Sequence, residues 1–170
     1  MFFKVNGLIA DELTLQDTVD FHRICNQQFV LRWMDDWKMD LSQVKDLISY
    51  SINGYEKADP EQIPFIMAVR TETNQLIGIC GFGPKPELNG EVEIAYFIDE
   101  NFSKRGYMSQ IVEKAIEFFF TLTDKPHLSA LVDERNIPSK RILMNNQFIY
   151  HEVDDSDSIL KSHYRLYRLE

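Results

Sequence analysis

Apolar residues recur along the chain with two different periods, and the changes of period divide it into elements. Met108, Ile111, Val112, Ala115, Ile116 and Phe119 fall at i, i+3, i+4, i+7, i+8 and i+11, the stripe of a long amphipathic helix. Val44, Leu47, Ile48 and Ile52 predict a second helix from Leu41 to about Tyr55, with Gly54 near its end. Val19, Phe21, Ile24 and Cys25 predict a third, capped by Asp17 and preceded by a strand over Leu8 to Leu15. Phe65 to Arg70 and Leu76 to Phe82 read as a hairpin across Thr71–Gln75, and the breakers from Gly83 to Gly90 separate it from a further strand, Val92 to Ile98. Beyond the long helix, Leu128 to Val132 reads as a strand and Pro138 to Asn146 as a helix. Phe148 to Val153 and Tyr164 to Leu169 then close the chain as strands. Gln28 to Met39 is rich in aromatics and shows no period. An antiparallel meander followed by alternating strand and helix predicts an α/β (α+β) chain with one mixed sheet covered by helices.

Composition narrows the function classes. The 170 residues, 44% of them apolar, suit one domain with its own core, and no linker or repeat divides them, so 1–170 is expected to be a single domain. A run of about 18 apolar residues is absent, and Met1-Phe2-Phe3-Lys4 lacks the features of a signal peptide, so a cytoplasmic protein without a membrane partner is expected. A net charge of −9 opposes a nucleic-acid partner, because that grip needs Lys and Arg against phosphate, and leaves cationic partners open. Cys25 and Cys80 stand apart and read as core thiols. His22, His127, His151 and His163 form no constellation in the sequence, and no metal site is expected.

The chemistry concentrates at Ser103-Lys104-Arg105-Gly106-Tyr107-Met108-Ser109, which joins a strand to the long helix. The first amides of a helix lack intrahelical partners and the helix dipole favours negative charge there, so a glycine turn with two cations reads as an anion cradle. A plain turn with solvated cations is the alternative. The P-loop and dinucleotide fingerprints are both missing, which removes those nucleotide sites.

The stretch from Glu91 to Met108, Glu-Val-Glu-Ile-Ala-Tyr-Phe-Ile-Asp-Glu-Asn-Phe-Ser-Lys-Arg-Gly-Tyr-Met, resembles the coenzyme A-binding strand, loop and helix of the GCN5-related N-acetyltransferases (GNAT). Asn136-Ile-Pro-Ser139 with the following Gln147-Phe148 resembles the Asn-x-x-Ser…Gly-Phe segment of the RimJ/RimL branch, which acetylates ribosomal-protein N-termini. Asn26 to Trp33 is similar to that branch as well. Three positions depart from the family pattern: Ser103 replaces Gln or Arg, Met108 a small residue, and Gln147 a glycine.

The resemblance implies a GNAT fold: a central sheet of six to seven strands, splayed between two parallel ones, flanked by about four helices. It implies acetyl-CoA as co-substrate, held by the backbone of Tyr96, Phe97 and Ile98, by the loop from Ser103, Lys104, Arg105 and Gly106 to Tyr107, Met108 and Ser109, and by Asn136 and Ser139. Arg32 and Trp33, with Trp37, would shape the acceptor site. Glu93 is the candidate proton acceptor, with Glu91 as its alternative on the same face; both could equally be solvated strand carboxylates. Met144 stands where many relatives carry a tyrosine acid, which leaves Ser139, another residue or none for the departing thiolate. The implied reaction is direct acetyl transfer to a primary amine, without a metal. A peptide N-terminus is the leading acceptor, since an α-amine of pKa ~8 is roughly a tenth neutral at pH 7 and a lysine of pKa ~10.4 only a few parts in ten thousand. A small amine such as a polyamine, amino acid or antibiotic, a domain that binds acetyl-CoA without efficient transfer, and a homodimeric assembly also remain open.

Overall fold

The computed structural model describes residues 1–57, 59–154 and 160–168. Eight strands form one sheet: β1 (Phe3–Val5), β2 (Leu8–Glu12), β3 (Phe65–Thr71), β4 (Leu76–Lys85), β5 (Glu91–Ile98), β6 (His127–Asp133), β7 (Ile149–Asp154) and β8 (Lys161–Tyr167). They lie in the order β1-β2-β3-β4-β5-β6-β8-β7, antiparallel throughout except where β5 meets β6. Five helices accompany them: α1 (Thr18–Cys25), the single turn α2 (Gln28–Leu31), α3 (Leu41–Tyr55), α4 (Tyr107–Leu122) and α5 (Ile137–Asn145).

The continuous apolar runs of β3 and β4 follow from helices on both faces of the sheet. Ile66, Ala68 and Ile79 join Phe21, Ile24, Val44 and Ile48 of α1 and α3 on one side. Phe65, Met67, Val69 and Cys80 join Met108, Ile111, Val112, Ala115 and Phe119 of α4, with Leu143 of α5, on the other. Strand β4 comes close to its neighbours because it carries glycines: a Cβ at Gly81 would stand 2.6 Å from the Phe65 carbonyl oxygen.

Several sequence expectations shift. The strand expected over Leu8 to Leu15 ends at Glu12, because Thr14 and Asp17 form a reciprocal capping box that turns the chain into a short 3-10 segment. Asp17 stands at the N-cap position of α1 as expected, but its side chain bonds no amide of that helix: it is 7% exposed and accepts two hydrogen bonds from the buried Arg70. The eighth strand is β1, hairpinned to β2 through Asn6 and Gly7, both at positive φ. Strand β4 runs on to Lys85, opposite Glu91, which shortens the expected break to five residues, 86–90. Val19 and Ile52, assigned to apolar helix faces, are exposed. Leu169, expected in the last strand, lies outside the described residues. Cys25 and Cys80 are buried and unpaired, and burial pushes the Cys25 thiol up to about 11. Among the described residues, no helix is long and apolar enough to cross a membrane.

Candidate active site

The sheet opens where the parallel pair fails. β5 pairs with β4 along its whole length, whereas its pairing with β6 rests on Glu93 opposite Ser129. Beyond that point the Leu131 amide donates to the Glu93 carboxylate at 3.2 Å, so a side chain fills the place of the next ladder bond. The parting leaves a cleft of three adjoining cavities. One mouth is a cavity of about 350 Å³ bordered by Arg32, Tyr96, Phe97, Ile98, Lys104 and Met108. The other is a cavity of about 380 Å³ bordered by Trp33, Trp37, Phe82, Lys85 and Glu93. A narrow space of about 70 Å³ between Glu93, Tyr96, Leu131, Asn136 and Ser139 lies at the waist, and Trp33 borders all three.

At the first mouth, Lys104 has φ 60° and Gly106 has φ 75°, so two left-handed residues fold the chain into the start of α4. No side chain caps that helix, which leaves its first-turn amides for a ligand. This donor set fits a phosphate-bearing group, and the unpaired edge of β5 fits the extended amide arm of coenzyme A. Lys104 and Ser103 border the cavity, while Gly106, Tyr107 and Ser109 form the turn beside it. Arg105 is committed to its own loop: its guanidinium sits 5.2 Å from the Phe102 ring centroid and donates to the Asn101 carbonyl. Met108 is 6% exposed and divides its surface between the core and the cavity. Arg32, assigned to the acceptor side from sequence, borders the first cavity, stacked over Phe29 at 5.0 Å.

The loop is braced from behind by residues that sequence reasoning missed. Asp99, 1% exposed, accepts from Arg23 at 2.6 Å, Gln27 at 3.1 Å and the Asn101 amide, and Gln27 in turn accepts the Glu100 amide. Burial raises the Asp99 carboxyl, but the Asn101 amide and the Arg23 and Gln27 side chains outweigh it and hold the group below its ordinary value. Nothing in the sequence spacing of Arg23, Gln27 and Asp99 announces this tie between α1 and the loop.

The two glutamates of β5 have opposite environments. Burial pushes the Glu93 carboxyl up, against the opposing pull of Lys85 3.8 Å away and the Leu131 amide. Glu91 is held at about 2, because hydrogen bonds from Arg165, Ser129 and His127 outweigh its burial. A carboxylate so engaged is a poor proton acceptor, and it borders none of the three spaces described.

At the waist, the Tyr96 hydroxyl and Ser139 Oγ lie 2.8 Å apart, and burial pushes the Tyr96 phenol up. Asn136 caps α5 by accepting the Ser139 amide at 3.2 Å and borders the cleft as well, so its capping and site positions coincide. Met144 is 54% exposed and borders none of these spaces.

The sequence model of the acetyltransferase (GNAT) domain matches residues 8–149. The Bacillus licheniformis protein p20, described as an uncharacterized N-acetyltransferase, is 33% identical over 109 residues, which span 64% of this chain and 60% of that protein. Among solved structures, RimL, a ribosomal L7/L12 alpha-N-protein acetyltransferase in complex with coenzyme A, superposes with a TM-score of 0.80 at 14% identity, covering 96% of this chain and 95% of that one. Spermidine N-acetyltransferase from Vibrio cholerae, in complex with CoA and spermine, superposes with a TM-score of 0.78 at 12% identity, covering 95% of each chain. The shared fold thus accommodates acceptors of different chemistry in those proteins. With its parallel strands parted at Glu93 and the family's model matched from β2 to β7, the chain belongs to the GNAT family of acetyltransferases.

Proposed function

We propose that this protein is an acetyl-CoA-dependent N-acetyltransferase that acetylates the α-amine of a peptide or protein N-terminus. The observation that carries this reading is the cleft in the sheet, which gives cofactor and acceptor separate mouths meeting at the waist beside Glu93 and Ser139. Acetyl-CoA supplies the acetyl group as a thioester. Lys104 and the first-turn amides of α4 hold the diphosphate, and the open edge of β5 at Tyr96, Phe97 and Ile98 aligns the pantetheine arm.

On the acceptor side, Trp33 and Trp37 wall the cavity and Glu93 takes the proton of the attacking amine, directly or through one water. Burial suits Glu93 to this, because a carboxyl raised above its ordinary value is the stronger base once ionised. Tyr96 and Ser139 stand where the thiolate departs. A phenol raised above its ordinary value keeps its proton throughout the working range, so Tyr96 serves as a hydrogen-bond donor to the sulfur, directly or through Ser139.

Lys85 and Lys161 border the acceptor cavity together with Asp36, Glu93 and Asp133. This wall carries both signs of charge, which suits the alternating donors and acceptors of a peptide backbone. The unpaired buried thiols suit a reducing cytoplasm, and residues 1–170 are read as one catalytic domain. The test is thiol release from acetyl-CoA with three acceptors: a peptide with a free N-terminus, the same peptide blocked at its N-terminus but carrying lysine, and spermidine. Turnover with the first alone is expected, and preference for spermidine would overturn the acceptor assignment.

A further inference from the structure

Four residues from the β7–β8 hairpin and β6 are arranged in a way that acetyl transfer does not use. Strand β7 carries an irregularity between Tyr150 and Glu152, where Tyr150 faces Tyr164 and Glu152 faces His163. Neighbours in a regular strand point to opposite faces, and this bulge lets His151 and Glu152 reach the same buried side chain, His163. One ligand atom from each of the three lies within 4.8 Å of the others.

The hydrogen bonds around His163 fix which of its nitrogens is available. Ser129 donates its proton to Glu91, which leaves the Ser129 oxygen as the acceptor for His163 Nε2 at 3.3 Å. With Nε2 as the protonated nitrogen, Nδ1 carries a lone pair. His163 is 1% exposed and its Nδ1 is without a hydrogen-bond partner, the only such buried side-chain atom among the described residues. The Glu152 carboxylate stands 3.6 Å from that atom, and His151 Nε2 stands 3.9 Å from the same carboxylate. The His163 lone pair, a carboxylate and an imidazole therefore converge. Ser129 and Glu91 behind His163 form the polar support that orients metal-ligating histidines in general.

We infer that His151, Glu152 and His163 form a binding site for a divalent transition cation, Zn²⁺ by the character of its N₂O donor set, with water as the remaining ligand. Tetrahedral ligands at ~2.1 Å from zinc stand ~3.4 Å apart, so the side chains must close by roughly 1 Å. His151 and Glu152, 40% and 63% exposed, have the freedom to close on the fixed His163. Arg165 donates to His151 Nε2 at 2.7 Å, and the cation displaces that bond while Arg165 keeps its bonds to Glu91. The site pins β7 to β8 at the bulge.

The experiment is calorimetric titration of the chelator-stripped full chain with Zn²⁺, repeated by visible absorption with Co²⁺. One ion per chain is expected, with the intense bands of tetrahedral cobalt. His151→Ala and Glu152→Gln, both at exposed positions that leave folding intact by thermal melting, should each weaken binding at least about tenfold, as should Ser129→Ala through loss of support. Absence of binding in the wild type, or unchanged affinity in both exposed-residue variants, would overturn the site. Neither readout depends on acetyl transfer.

Discussion

Replacing Glu93 by Gln removes the proposed proton acceptor while keeping its shape and its ability to accept the Leu131 amide. A positioned general base contributes about 10²–10⁴-fold, so kcat/KM at neutral pH should fall by that factor. The stability change runs the other way. The folded-state carboxyl of Glu93 lies above its ordinary value, so its favourable contribution is present at acidic pH and lost as pH rises through the folded value. Above that pH the wild type carries a buried carboxylate, whereas the neutral amide avoids its cost and should melt at an equal or higher temperature. The contribution of Glu93 to the acidic limb of the wild-type kcat/KM profile, placed above 4.5 by the same burial, should vanish in the variant, leaving the ionisation of the acceptor amine. Affinity for acetyl-CoA should be unchanged, because Glu93 does not border the first cavity. Stopped thiol-release assays over a pH series, with thermal melts on the same samples, measure all of these. Activity within about threefold of wild type would refute the base assignment, and a joint loss of activity and melting temperature would mark Glu93 as structural.

Arg70→Leu should cost about 3–5 kcal/mol in denaturant unfolding by stranding Asp17, 7% exposed and held below its ordinary value by Arg70 and Thr14 despite burial. Because the folded value of Asp17 is depressed, that contribution is present above its ordinary value of 3.8, and the gap between variant and wild type should close as pH falls through the folded value. Gly106→Ala forces a side chain into φ 75°, at a cost of about 1–2 kcal/mol, and should weaken acetyl-CoA binding through the displaced α4 amides. Tyr96→Phe should lower kcat at least tenfold while leaving the acidic limb of Glu93 in place; an unaltered kcat would remove the phenol from the mechanism.

The helices were legible because a stripe such as Met108 to Phe119 has one cause, a single buried face. The parallel pair, and the coenzyme A role proposed for the loop before α4, were legible only through resemblance, since a lone glycine before a helix has many uses. Asn6-Gly7 is a strong hairpin signal that went unread because the strand before it, β1, spans only three residues. The brace of Arg23 and Gln27 on Asp99, and the gathering of His151, Glu152 and His163, depend on pairings 11 to 76 residues apart that no local pattern encodes. The setting of Arg105 was hidden for a related reason: its charge reads as a phosphate contact in the sequence, and only the structure sets its guanidinium beside the Phe102 ring and on the Asn101 carbonyl. Tyr96 was placed for its backbone, and its hydroxyl gained significance only once Ser139 of α5 stood beside it.

The central claim is that the first mouth of the cleft binds acetyl-CoA through the α4 turn, and calorimetric titration of acetyl-CoA into the wild type, Lys104→Ala and Arg105→Ala tests it most directly. The account predicts binding by the wild type, clear weakening in Lys104→Ala, and little change in Arg105→Ala, whose guanidinium lies by Phe102, donates to the Asn101 carbonyl and does not border the cavity. No heat of binding at high ligand concentration, or weakening in Arg105→Ala alone, would contradict it.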